Sequence, residues 1–274
     1  MGKLIAIGGA EHKGTEDGDL LHRRSAKFSE LGVLKRVVSE SGKDQPHIEV
    51  ITTASSIPDE VGQGYIDAFK RIGCLNVGHV NIRSRDDVGN KEFIDRIKIC
   101  DIIMFSGGDQ KRLTSIFGET EFFEVIYNRC KSSDIIIAGT SAGAMAMSKL
   151  MIYDGDSIFG FLKGEVKTTT GLGLVEDVVI DSHFNKRGRF SRLAQAVCIN
   201  PVIGIGIGED TGVIIGRDEI EVIGSGSVVI IDGSNVKGTN VHKVDNGHPI
   251  SVEGLIVHIL EEGNKYDYKN KKIK

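Results

Sequence analysis

Five short, β-branched apolar runs, at residues 4–7, 48–52, 77–80, 102–105 and 135–138, are spaced along the first half of the chain with helical stripes between them. Leu31, Leu34 and Val38 recur at helical spacing after the first run, and Tyr65, Phe69 and Ile72 after the second. Alternation of this kind reads as βαβ units, which build a parallel sheet with helices packed on it, so both stripes belong to the core. From residue 178 the texture changes to short strands punctuated by glycine, at 203–207, 212–215, 220–222 and 227–231. These predict an antiparallel extension of the same sheet, with Gly224-Ser225-Gly226 and Asp232-Gly233 as turns. There is no Pro-rich or Ser-rich linker and no long repeat, which predicts one α/β domain over residues 1–274. Its basic end, residues 265–274, reads as a solvated, frayed tail.

A chain of 274 residues that is 40% hydrophobic supplies a substantial core. Its formal charge of -4 gives no global positive field toward nucleic acid or membrane. The first apolar run is too short for a signal peptide, and no run approaches the roughly 18 residues of a membrane span, so a soluble, cytoplasmic protein is expected. Cys74, Cys100, Cys130 and Cys198 form no Cys-x-x-Cys pair and read as reduced, mostly buried thiols. His12, His22, His47, His79, His242, His248 and His258 show no metal-ligand spacing, so no metal is expected and these rings read as structural or exposed. The opening Ile7-Gly8-Gly9-Ala10 lacks the three-glycine spacing of a dinucleotide site, and no cofactor is expected.

The apolar run ending at Ala138 leads directly into Gly139-Thr140-Ser141-Ala142-Gly143. An inert strand–helix turn carries the same Gly-x-Ser-x-Gly letters, but an apolar strand directly ahead is the context a nucleophile elbow requires. Ser141 is then the candidate nucleophile, and the Ala142 amide, at the start of the next helix, a candidate oxyanion donor. A second strand end supplies Ser106-Gly107-Gly108-Asp109-Gln110, where paired glycines let backbone amides approach a ligand. Gly108 is thus a second candidate oxyanion donor, and Gln110 a candidate pocket residue. A third strand ends in Asp181-Ser182-His183, which puts His183 where active sites of parallel sheets lie and where its pKa suits a general base. Lys186, Arg187, Arg189 and Arg192 follow within seven residues. Such a run is ordinarily a solvated helix face, but beside a base its arginines suit a carboxylate clamp. Two acids compete to orient the imidazole: Glu209, after the 203–207 run, and Asp156, just past the elbow helix.

Together with Gly8-Gly9-Ala10-Glu11, Thr52-Thr53-Ala54-Ser55 and Gly206-Ile207-Gly208-Glu209-Asp210-Thr211, these motifs resemble the cyanophycinases, in order, from residue 4 to about 233. Those enzymes share a serine-peptidase family with aspartyl dipeptidases. The resemblance implies a flavodoxin-like α/β fold, with a mainly parallel sheet flanked by helices, related to class I glutamine amidotransferases. It implies a homodimeric exopeptidase that releases β-Asp-Arg dipeptides from cyanophycin, a poly-aspartate bearing arginine on each side-chain carboxyl. Ser141 matches the nucleophile and His183 the base, while Gln110, Asp181, Arg187, Arg189 and Arg192 match substrate-pocket positions. Related dipeptidases use a Ser-His-Glu triad, which favours Glu209 over Asp156. The sequence departs from the pattern at Ser182, where glutamine is expected, and at Gly208, where aspartate is expected. An α-Asp-X dipeptidase and a non-catalytic aspartyl or arginyl binder are the alternatives. The arginine cluster beside Asp181 suits a substrate carrying both carboxylates and guanidinium groups, and so favours cyanophycin.

Overall fold

The computed structural model describes residues 2–14, 25–132, 135–268 and 270–274. In chain order its first half consists of β1 (Lys3–Ile7), α1 (Gly32–Ser39), β2 (Ile48–Ile51), α2 (Pro58–Ile72), β3 (Val77–Val80), α3 (Lys91–Ile99), β4 (Ile102–Phe105), α4 (Gln110–Phe117), α5 (Glu121–Ser132), β5 (Ile136–Thr140) and the short α6 (Ala142–Ala146). Then follow β6 (Leu150–Asp154), β7 (Lys167–Thr170), β8 (Val178–Asp181), α7 (Phe190–Ile199), β9 (Ile203–Ile207), β10 (Thr211–Ile215), β11 (Glu219–Gly224) and β12 (Val228–Asp232). The chain closes with β13 (Gly238–Thr239), β14 (Val252–Glu253), β15 (Ile256–Leu260), β16 (Lys265–Asp267) and β17 (Lys272–Ile273).

β3, β2, β4, β5 and β1 lie side by side and parallel, as the alternation predicts. Every residue of β2, β4 and β5 is buried, because helices cover both faces of this part of the sheet. One covering helix shows how the ends are set. α2 begins at Pro58 with Asp59 and Glu60 in its first turn, and ends with Lys70 and Arg71 ahead of Gly73, which caps it at φ 99°. Tyr65, Ala68 and Phe69 form its buried stripe.

Two expectations are corrected. β10 and β11 do extend the main sheet antiparallel, from β1 outward, but β9 and β12 do not join it. They lie in a second, four-stranded sheet ordered β15-β12-β9-β8, in which β8 and β9 are parallel. The chain therefore changes sheets across residues 208–210, between β9 and β10. Short glycine-flanked strands of even spacing do not say which neighbour each will pair with, so the sequence hides this switch.

The second correction concerns the tail. β16 pairs with β11 and β17 with β16, and Tyr266 is fully buried. The basic residues that suggest a solvated end instead pair with acids of the body: Lys265 and Lys274 with Glu219 at 3.1 Å, and Lys271 with Asp232 at 3.7 Å. Tyr266→Ala should lower stability by roughly 3–5 kcal/mol, as deletion of a large buried side chain does. The Tyr266 hydroxyl meets no hydrogen-bond partner among the described residues, so Tyr266→Phe should be neutral or stabilising. Urea unfolding midpoints check both; a silent Ala variant would show that this strand lies outside the cooperative unit, and a destabilised Phe variant that the hydroxyl is not unpartnered.

Candidate active site

Three chain segments meet at the carboxyl end of β1. The carbonyl of Ile7 accepts the amide N–H of Ser141 at 2.9 Å, that of Gly8 accepts the N–H of His183 at 2.7 Å, and that of Gly9 accepts the N–H of Asp210 at 3.0 Å. One turn of backbone thus fastens the elbow after β5, the end of β8 and the sheet-switching loop that carries Glu209. Only glycine fits here. A Cβ on Gly8 would stand 2.6 Å from the Ile207 carbonyl oxygen, and one on Gly9, which has φ 106°, would stand 2.5 Å from Nε2 of His183.

The elbow itself depends on two further glycines. A Cβ on Gly139 would lie 2.7 Å from the Gly143 carbonyl oxygen, and one on Gly143 would lie 2.6 Å from that of Phe105. Removing both side chains lets β5 turn sharply into α6 with Ser141 at φ 50°, ψ −110°. Ala10, His183 and Asp210 also adopt positive φ, between 47° and 49°. Four non-glycine residues in this conformation at one place are a local store of strain, held by the surrounding hydrogen bonds at a cost of roughly 1–3 kcal/mol each.

The side chains that result form one hydrogen-bonded chain. Oγ of Ser141 lies 3.1 Å from Nε2 of His183, and Nδ1 of His183 lies 2.7 Å from Oε1 of Glu209. The Lys186 Nζ stands 3.5 Å from the other Glu209 oxygen. Burial pushes the His183 pKa down; the Glu209 hydrogen bond opposes this and the nearby Arg187 adds to it, leaving the ring below the ordinary histidine value. Its neutral form, the one able to accept a proton, therefore persists to more acidic pH than for a free imidazole. Asp156 is not part of this chain: it is exposed and accepts the N–H of Ile158 in its own loop at 2.6 Å.

Ser141 and His183 open onto a cavity of about 670 Å³ that Gly108, Gln110, Arg187, Arg189 and Arg192 also line. Gly108 has φ 141°, and the amide after it donates to the Ala54 carbonyl at 2.9 Å, which fixes the loop beside the elbow. Gln110 is anchored through Nε2 to the Ile152 carbonyl at 3.1 Å. Asp181 takes a different place from the pocket position expected of it. It is fully buried beneath the arginines, bridged by Arg192 through Nε and Nη2 at 2.7 and 2.6 Å and by Arg189 at 3.1 Å. Burial lowers the Arg189 pKa to about 10 against the pull of Asp181, so the group stays cationic at neutral pH. Ser182 lines the cavity with its hydroxyl turned to the Met145 sulfur at 3.2 Å. At Gly208 a Cβ would already lie 2.9 Å from the Ser227 carbonyl, so the loop here has closed over the space an aspartate would need.

Glu11 and Lys13 were singled out by no spacing argument, yet both line the cavity. Glu11 is buried and accepts from Thr140 Oγ1 at 2.6 Å, from the Tyr65 hydroxyl and from Lys13 Nζ at 3.0 Å. Burial would raise its pKa, but Lys13, Thr140 and Tyr65 together hold it below the usual value, so it is a carboxylate bonded to the residue before Ser141. Its signal in the sequence is its position directly after the glycine turn, at the end of the Gly8-Gly9-Ala10-Glu11 motif. Of the remaining histidines, His47 meets Glu49 and His79 meets Thr52, each at 2.7 Å, while His22 lies outside the described residues. Among the described residues no helix is long and apolar enough to cross a membrane.

Two outcomes follow from this geometry. In Gly9→Ala the methyl group displaces the imidazole, so a serine-directed fluorophosphonate should label Ser141 at least about tenfold more slowly; unchanged labelling would mean that the ring does not need the space. The His183 ring, followed by NMR, should titrate below about 6.5, and lower again in Glu209→Gln, where the carboxylate that favours the imidazolium is gone.

The sequence matches the model of peptidase family S51 over residues 23–223. Curated cyanophycinases of Trichormus variabilis and Thermosynechococcus vestitus are each 34% identical, over 265 and 274 residues; the alignments cover 96% and 99% of this chain and 84% and 81% of those proteins. The cyanophycinase of Geminocystis herdmanii is 34% identical over 268 residues, covering 97% of this chain and 93% of its own. A crystal structure of a peptidase from an acI-B1 actinobacterium superposes with a TM-score of 0.68 at 24% identity, covering 97% of this chain and 96% of that one. A putative peptidase E from Listeria monocytogenes gives 0.50 at 16% identity, covering 81% and 98%. With a family model spanning most of the chain and relatives alike along nearly its whole length, the chain belongs to peptidase family S51.

Proposed function

We propose that the chain is a serine exopeptidase that hydrolyses cyanophycin to β-Asp-Arg dipeptides, with residues 1–274 acting as one catalytic domain and Ser141, His183 and Glu209 as its triad. The observation that carries the triad is the unbroken contact series from Ser141 Oγ through the His183 ring to the Glu209 carboxylate. The substrate rests on the likeness to cyanophycinases along nearly the whole chain.

In this reading Ser141 Oγ attacks the scissile backbone carbonyl while His183 Nε2 takes its proton. Glu209, bonded to Nδ1, holds the productive tautomer and stabilises the imidazolium. The N–H groups of Ala142 and Gly108 face the developing oxyanion. Collapse returns the proton from Nε2 to the leaving amine, and water then releases the acyl group by the same steps. Arg187 and Arg189 receive carboxylates of the departing β-Asp-Arg unit. Asp181, bridged by Arg192, holds Arg189 in place from beneath, and Gln110 meets a polar end of the substrate. A guanidinium braced by a buried acid is already oriented before substrate arrives, so less rotamer entropy is lost on binding. The same reading carries a cytoplasmic location and a homodimer.

Incubation with insoluble cyanophycin should release soluble β-Asp-Arg. Efficient cleavage of α-Asp dipeptides with the polymer untouched would replace this reading by an aspartyl dipeptidase. Ser141→Ala should abolish turnover and leave binding largely intact, and His183→Ala should lose a comparable amount without adding to it. Glu209→Gln should cost roughly two to four orders of magnitude in kcat, whereas Asp156→Asn should cost far less; the reverse ranking would move the acid role to Asp156. Loss of Arg187 or Arg189 should lower kcat/KM by about ten- to a hundredfold, with lysine a partial substitute because it lacks the bidentate fork.

A further inference from the structure

Consecutive side chains of a regular strand point to opposite faces. Tyr153 and Asp154, the last two residues of β6, nevertheless both line the cavity. The cause is an irregularity in the β6–β7 ladder: Ile152 pairs with Thr168 and Asp154 with Lys167, so Tyr153 is the extra residue of a bulge. Bulges re-aim side chains and are frequent beside active sites. Here the bulge delivers an aromatic ring and a carboxylate to one wall of the cavity.

The carboxylate is oriented from behind. Its Oδ1 accepts the N–H of Gly155 at 2.9 Å, and the Gly155 carbonyl accepts Nη1 of Arg192 at 3.1 Å, so Asp154 is tied next to the arginine cluster. No lysine or arginine among the described residues pairs with it. Lys167, its cross-strand neighbour, is exposed. The Tyr153 ring already attracts a cation, with Lys111 Nζ 5.5 Å from its centroid. The other acids near the cavity are committed. Glu11 is bonded by Thr140, Tyr65 and Lys13, and Asp181 is fully buried and held by Arg189 and Arg192.

We propose that Tyr153 and Asp154 form the guanidinium site of this cavity, the carboxylate taking the planar fork of the substrate's arginine branch and the ring stacking against it. This rests on the cyanophycin reading above. The arginine of a terminal β-Asp-Arg unit carries a carboxylate, suited to Arg187 and Arg189, and a guanidinium, which those cations repel and which requires an acid of its own. A fork matches one carboxylate through two N–H donors, and an aromatic face adds to the attraction without blocking it.

The test compares two synthetic β-Asp-Arg oligomers, one natural and one with citrulline in place of arginine at the terminal unit, which preserves shape and removes the charge. The parent should favour the arginine oligomer by about ten- to a hundredfold in kcat/KM. Asp154→Asn should lose most of that preference, falling steeply on arginine and far less on citrulline, and Tyr153→Leu should lose a smaller part of it. Equal falls on both oligomers in Asp154→Asn would assign the residue a merely structural role and overturn the inference. So would a parent that cleaves both oligomers equally well, with the cyanophycin reading left standing. Cleavage of neither by the parent would overturn that reading and this inference with it.

Discussion

Three successive carbonyls, of Ile7, Gly8 and Gly9, accept the amides of Ser141, His183 and Asp210, and the arrangement of the site depends on them. Each of the donating amides belongs to a different junction: a strand-to-helix elbow, the end of β8 in the second sheet, and the loop where the chain passes from one sheet to the other. Each residue fastened there has positive φ, a conformation that relaxes unless its surroundings determine it. The Gly8-Gly9 turn provides that determination by allowing backbone to approach backbone and ring without a side chain between. It holds the Ser141, His183 and Glu209 side chains within hydrogen-bond reach although 42 and 26 residues separate the partners.

Two buried acids beside the cavity, Asp181 and Glu11, each meet an opposite charge, and further cations face the cavity. Asp181 and Glu11 are carboxylates without solvent, affordable because arginines bridge the first and Lys13, Tyr65 and Thr140 bond the second. Removing one partner would leave the other charge buried and unpaired. Arg187 remains exposed at the cavity wall, and Arg189 lines it while sharing Asp181 with Arg192. The cavity accordingly offers cations to carboxylates and, at the bulge, one carboxylate to a cation. That pairing of opposite signs is a stronger filter on substrate than either alone.

The sequence by itself determined the parallel core, because hydrophobic runs separated by amphipathic stripes have few other ways to bury themselves, and it determined the elbow, because Gly139 and Gly143 admit no larger residue at a sharp turn. It also supplied Ser141, His183 and the arginine cluster as chemically apt residues. Only the tertiary structure decided between Glu209 and Asp156 as the acid that meets His183, since both follow apolar segments and the choice turns on a loop that changes sheets. Only the tertiary structure moved Asp181 beneath the arginines, folded the basic tail into β16 and β17, and turned Tyr153 and Asp154 to one side through a bulge. These are outcomes of pairing between strands distant in sequence. A pattern of two or 3.6 residues says which face a residue takes within its own element, and nothing about which element lies across from it.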